Sequence, residues 1–287
     1  MTPLIPLMPR MRLLSLACLA AALLLGGGTA WAETKTGAES AFDMASRSWS
    51  RADYTVARLK PFAEHGDKRA QTILGFVHLY GRGTKRDINR AAQWFAKAAA
   101  QNYPPAQHAL ARLYLGAKEA GKRERAEGVR LMRAAAEASH PLAQVELGLM
   151  HERGQFVKRD SKRAVAWFLR AAEQKFAPGQ FLLALALAKG RGIKRDEKAA
   201  LDWGKRAAER GYGEAQLWLG YRYLKGVGVK RSRVDGLAWL FIAEAGGDAR
   251  AKQVLARYRA RVFEDVWQRA KAKAAKFKAP PKPKPVF

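Results

Sequence analysis

An all-α stack of helix pairs, an α-solenoid, is the fold class this sequence predicts, and three observations carry it. A small residue recurs at Ala70, Ala106, Ala143, Gly179, Ala215 and Ala251, at spacings of 36, 37, 36, 36 and 36 residues, which marks five consecutive units. At the start of a unit the apolar residues Ala70, Ile73, Leu74, Val77 and Tyr80 fall at the opening position and three, four, seven and ten places beyond it, and so line one face of a helix. A loop such as GRGTKRD at 81–87, nearly repeated as GRGIKRD at 190–196, then leads into a second helical stretch, INRAAQWFAKAAAQ in the first unit. Two short helices cannot cover both apolar faces alone, so successive pairs must stack.

Taken in order, the chain opens with Arg10 and Arg12, an apolar run from Leu13 to Leu25, and Ala30-Trp31-Ala32 ahead of Glu33. This is the layout of a secretory signal peptide, residues 1 to 32, cut after Ala32. The alternative is an uncleaved anchor, although the run falls short of the roughly 20 apolar residues that a span needs. Cys18 is the single cysteine and leaves with the peptide, so the mature chain is expected to fold without disulfides and to have no thiol chemistry. The two asparagines, Asn89 and Asn102, stand in no N-x-S/T acceptor, which leans toward a bacterial envelope and a periplasmic location.

Residues 33 to 52 read as a linker, 53 to 267 as the repeat domain, and 268 to 287 as a basic Lys/Pro tail. Gly81 and Gly83 are placed to end the first helix, since glycine takes the left-handed conformation at a helix C-terminus at little cost. Asp87, Asp160 and Asp196 are placed to cap the second helix, with Ser232 in the equivalent place of the fifth unit. Gln71, Gln107, Gln144, Gln180 and Gln216 follow the opening residues, while Trp94, Trp167, Trp203 and Trp239 stand twelve places before the next one. The tryptophans read as core, because an indole at a constant repeat position buries a large area. His78 and His151 share a packing position with Tyr114, Leu187 and Tyr223 and are not read as metal ligands.

The succession AQxxLGxxYxxGxGVxxDxxxAxxWFxKAAxxG, best seen in units three and five, resembles the Sel1-like repeat, a relative of the tetratricopeptide repeat. The resemblance implies a right-handed solenoid of five helix pairs. DYTVARLKPFAEHGDKRA is then a leading half-unit and ARYRARVFEDVWQRA a terminal capping helix. It also implies a binding scaffold or adaptor with no common catalytic residues. Unit two is the degenerate member, and Ala111 and Ala184 replace the glycine that follows the leucine in the other units.

Catalytic patterns are missing from the sequence. There is no SxxK or GxSxG, and His151-Glu152 meets Gln155 where a zinc helix needs its second histidine. GAKEAGKR offers Arg123 where a nucleotide loop needs Ser or Thr, and the Gly-x-Gly loops follow helices, whereas a phosphate cradle follows a strand. No enzyme activity and no cofactor are therefore expected.

Charge is what remains. The formal net charge is +28 for 287 residues, and +26 after removal of residues 1 to 32, with 51 basic and 25 acidic side chains. Lys85-Arg86, Lys122-Arg123, Lys158-Arg159, Lys194-Arg195 and Lys230-Arg231 each begin 21 places before the next opening residue. Stacking would set these rungs roughly 10 Å apart in a row of roughly 40 Å; the plainer alternative is a solvated dipeptide copied by duplication. From Arg269 onward seven basic and no acidic residues follow. A protein partner is expected, with Glu146, Gln180, Lys189 and Arg222 as exposed polar contacts on the first helices. The other reading is an anionic envelope polysaccharide or lipid headgroups held by the ladder and tail. Export and the lack of a base-stacking module argue against nucleic acid.

Overall fold

The computed structural model describes residues 56–118 and 120–277. They form thirteen α-helices and no strand: α1 (Val56–Glu64), α2 (Lys68–Tyr80), α3 (Ile88–Ala100), α4 (Pro104–Gly116), α5 (Lys122–Glu137), α6 (Pro141–Arg153), α7 (Ser161–Glu173), α8 (Ala177–Lys189), α9 (Glu197–Glu209), α10 (Gly213–Lys225), α11 (Arg233–Ala245), α12 (Ala249–Arg259) and α13 (Glu264–Ala275). The expected signal peptide and linker, and residues 278–287 of the expected tail, lie outside the described residues. Contacts divide the chain into two compact units, which among the described residues are 56–135 and 136–277.

The first unit holds the leading half-unit α1, the pair α2–α3, and α4 with most of α5. The second holds the pairs α6–α7, α8–α9 and α10–α11, followed by α12 and α13. Caps fall where the sequence placed them. The N–H groups of Arg90, Arg163 and Ala199 each donate to the carboxylate of Asp87, Asp160 or Asp196 at 2.9 Å. Ser232 does the same work through its hydroxyl, which accepts from Asp235 N–H at 3.2 Å.

One inward position organises each pair. Phe95 and Phe168 are 0% and 2% exposed, and each ring presses on a glycine of the preceding helix, Gly75 or Gly148. A Cβ on Gly148 would sit 2.5 Å from Phe168 Cε1, far inside van der Waals contact. Where the second helix carries Met132 or Gly204 at the position of these rings, the first helix carries Ala111 or Ala184, both fully buried. The alanine departures are therefore steric compensations. At Gly204 the missing bulk is supplied from the next pair, because Trp218 lies against that glycine.

The repeated glutamines are structural. Their side chains are 2% to 6% exposed, and four of them donate Nε2–H to a carbonyl eight residues earlier: Gln71 to Ala63, Gln144 to Ala136, Gln180 to Ala172 and Gln216 to Ala208, at 2.9 to 3.3 Å. Gln101 and Gln174 then donate to the carboxamide oxygens of Gln71 and Gln144. Each of the four carbonyls lies near a helix C-terminus and also accepts the backbone N–H three residues on, so the carboxamide fills its second acceptor site.

Three expectations need correction. The terminal cap is two helices, since the chain breaks at 260–263 inside the stretch read as one helix; α13 packs on α11 with Trp267 and Ala270 buried, and it runs to Ala275, past the boundary placed at 267. The tryptophans lie at the edge of the core, partly buried, with Trp94, Trp203 and Trp239 packed against it, while the fully buried aromatic is one residue later at Phe95 and Phe168. Three of the faces are covered by a cation from the next turn: Lys97 over Trp94 at 4.3 Å, and Arg170 over Trp167 and Arg206 over Trp203 at 4.6 Å. Lastly, Lys122 and Arg123 are not in a loop. They open α5, where Glu124 offsets the unfavourable placement of positive charge at a helix N-terminus.

Candidate functional site

All ten residues of the Lys-Arg ladder are exposed. Four of the five pairs sit in the loop between the helices of a pair, just before the N-cap. Each such loop follows a glycine whose left-handed backbone ends the first helix, φ +69° at Gly81 and +70° at Gly154. The two members of a rung differ in role. Arg86 Nε–H donates to the Leu79 carbonyl and Arg231 Nε–H to that of Leu224, both at 3.1 Å, so these arginines close the end of the preceding helix. Arg195 instead meets Glu197 at 2.7 Å. The lysines of the same loops, Lys85, Lys158, Lys194 and Lys230, project from the loops without such a role.

In the second unit the loops form a contiguous row. Gly192 abuts the Ser161 carbonyl at the start of α7 so closely that a Cβ would collide with it, and Gly228 lies 3.3 Å from the Glu197 carbonyl, measured from an added Cβ. Lys158, Arg159, Lys194, Arg195, Lys230 and Arg231 therefore share one edge of that unit. Residues 152–163, 188–198 and 224–235 together carry 14 basic and 5 acidic side chains. The acidic ones are engaged locally: Glu152 with Arg191, Asp160 with Arg163, Asp196 as a cap, Glu197 with Arg222 and Arg195, and Asp235 with Lys273.

The proposed first-helix contacts fare unequally. Lys189 is exposed and Glu146 half-buried. Gln180 and Arg222, expected at the surface, are 2% and 9% exposed. Gln180 belongs to the glutamine ladder. Arg222 stands in the inward register of Val77, Met150 and Ala186, where its guanidinium lies 4.3 Å from the Trp218 ring centroid and pairs with Glu197. Comparing these registers across units would have shown both to be inward. His78 and His151 are 4% and 5% exposed, as their packing position implied, and among the described residues no group of three His, Asp or Glu is arranged to hold a metal ion.

The Glu197 carboxyl is held below its ordinary value by hydrogen bonds from Arg222 first and then Arg195. Stability from a depressed carboxyl is present above the unfolded value, 4.5 here, and is lost as pH falls toward the folded value. Glu197→Gln should therefore lower the melting temperature near neutrality and flatten its decline below about pH 4.5. Parallel acid limbs for the two proteins would show that this contact does not contribute.

Sequence reasoning missed the apolar residues among these basic ones. Phe156 is 40% exposed, Ile193 37% and Val227 43%, in three successive loops. The signal was present, since Phe156 occupies the place of Gly83, Gly192 and Gly228.

The profile of the Sel1 repeat matches residues 68–103, 104–140, 141–176, 177–212 and 213–248, each one helix pair. The fold is similar to that of a protective antigen of uropathogenic Escherichia coli displaying an SLR fold, with a TM-score of 0.69, 29% identity, and coverage of 77% of this chain and 47% of that one. The present chain thus spans about half the length of that antigen. It is also similar to a Sel1 repeat protein of Oxalobacter formigenes, with a TM-score of 0.66, 25% identity, and coverage of 85% and 98% of the two chains. No curated protein matches the chain. With five matched repeats that run from residue 68 to 248, more than half of the sequence, the chain belongs to the Sel1 repeat family.

Proposed function

We propose that this protein is a non-enzymatic scaffold or adaptor of the bacterial envelope that holds a protein partner on the first helices of its repeats. One observation carries the reading. Along α6, α8 and α10, the positions three and six places beyond the opening residue keep Leu149, Leu182, Leu185, Trp218 and Tyr221 partly open to solvent, and Tyr221 is 40% exposed. Positions three apart share a helix face, so α8 and α10 each offer an apolar strip, and α6 adds Leu149 next to Glu146. Aromatic side chains on such strips are the usual anchors of protein interfaces. Sel1 repeats generally serve protein interaction, which agrees with this use. Export to the periplasm rests on the N-terminal sequence; no helix among the described residues is long and apolar enough to cross a membrane.

The test is affinity capture from envelope extract at low and moderate salt, with wild type, Tyr221→Ala and Lys189→Glu. Capture by wild type should survive moderate salt and fall about tenfold in Tyr221→Ala, with melting unchanged. If both variants bind as wild type while Leu169→Ala on α7 abolishes capture, the binding face lies on the second helices.

A second reading is favoured by the loop edge. Its 14 basic and 5 acidic side chains suit an anionic envelope polymer or lipid headgroups, and such binding should weaken steeply with salt.

A further inference from the structure

We infer that the loop edge of the second unit docks on an anionic lipid bilayer, with its basic side chains against the headgroups and Phe156 in the boundary with the acyl chains. This rests on reading the edge as an anion-binding surface, and it adds the kind of surface. The backbone of Phe156 is left-handed, φ +61°, where the equivalent residues are Gly83 at +68°, Gly192 at +72° and Gly228 at +71°. A bulky apolar residue with positive φ is a genuine outlier, and such outliers persist where function needs them. Asn102, Ser139 and Lys175 also take positive φ, but in the turns between pairs, and none is aromatic.

Single exposed apolar residues are ordinary on protein surfaces. Phe156 differs because glycine would relieve its backbone, and because the residue remains 40% exposed after that cost is met. Ile193 and Val227 repeat the exposure in the next two loops, which abut one another. Around them the edge carries a net +9 over residues 152–163, 188–198 and 224–235, with its carboxylates turned to local partners. A soluble polyanion matches the charge but offers no apolar phase to the ring. A bilayer with anionic headgroups offers both, each adding to the other in the free energy of partition.

The experiment is sedimentation of the purified chain with phosphatidylcholine vesicles, with and without phosphatidylglycerol, beside retention on soluble dextran sulfate. Wild type should sediment only with phosphatidylglycerol present. Phe156→Gly should partition about tenfold more weakly, bind dextran sulfate as wild type does, and melt about 2–4 °C higher because strain is relieved. Lys158→Glu, Lys194→Glu and Lys230→Glu together should weaken vesicle binding more than about a hundredfold. A lower melting temperature in Phe156→Gly, or unchanged partition, assigns the ring to the fold and overturns the inference. Dextran sulfate binding without vesicle binding overturns it while leaving the anion reading in place; loss of both in wild type removes both.

Discussion

Replacing Gly148 by alanine should destabilise the protein by about 1–3 kcal/mol, although alanine is the better helix former by about 1 kcal/mol. The residue lies in the interior of α6, where propensity alone predicts a gain. The added methyl would sit 2.5 Å from Cε1 and 2.8 Å from Cδ1 of Phe168, and 3.2 Å from the Ala164 carbonyl oxygen. Phe168 is 2% exposed and has no room to withdraw, so either the ring leaves its rotamer or α6 and α7 move apart. The compensation elsewhere in the chain supplies the rescue. Phe168→Leu should cost roughly 1–3 kcal/mol alone for lost volume, yet combined with Gly148→Ala it should restore much of the stability, giving a coupling of opposite sign to the single losses. Chemical denaturation of the four proteins measures the cycle. Additive losses would mean that the glycine is retained for some reason other than the ring.

Ending the chain after Gln268 should lower the melting temperature by roughly 10 °C, whereas ending it after Phe277 should leave it unchanged. The sequence invites the first cut, because seven basic residues follow it and resemble the start of a tail. In the structure that cut falls inside α13. It removes Ala270, which is fully buried, the Phe277 ring that meets Trp239 edge-on at 5.5 Å, and the Lys273 partner of Asp235. It also uncovers the face of α11 on which α13 packs, with Leu237 and Leu240 at 0% exposure. The later cut removes only Lys278 to Phe287, a Pro-Lys segment with little apolar area to bury. Equal melting of the two truncated chains would mean that α13 contributes little to the fold.

The repeat length, the pairing of helices and the aspartate caps were legible because each recurs at a fixed register and follows from short-range chemistry. The cap at the C-terminal end was read as one helix because ARYRARVFEDVWQRA contains no glycine or proline to mark the break at 260–263. Unit two misled for a related reason. Its Lys-Arg pair keeps the ladder's spacing, but with no Gly-x-Gly and no capping aspartate the pair was drawn into a helix. Gln180 and Arg222 show a different gap. Both are polar residues in inward registers, where polarity alone points outward, yet a carbonyl near a helix end and the carboxylate of Glu197 make those places habitable. The candidate edge was half legible: its charge could be counted, while the left-handed backbone that sets Phe156 among those charges could not.

The filling of Gly204 by Trp218 bears on how such an array can grow. Gly148 and Phe168 belong to one repeat, 141–176, so a duplicated copy of that segment carries both halves of its own lock. The fourth repeat, 177–212, does not; its second helix is completed by a ring from the fifth, 213–248. Excision of the fifth repeat would leave a void beside Gly204, and a copy spliced between the two would have to bring an aromatic residue at the Trp218 position. For recombination the fourth repeat is therefore tied to a successor that carries an aromatic residue at the Trp218 position, whereas the third repeat brings its own lock wherever it is copied.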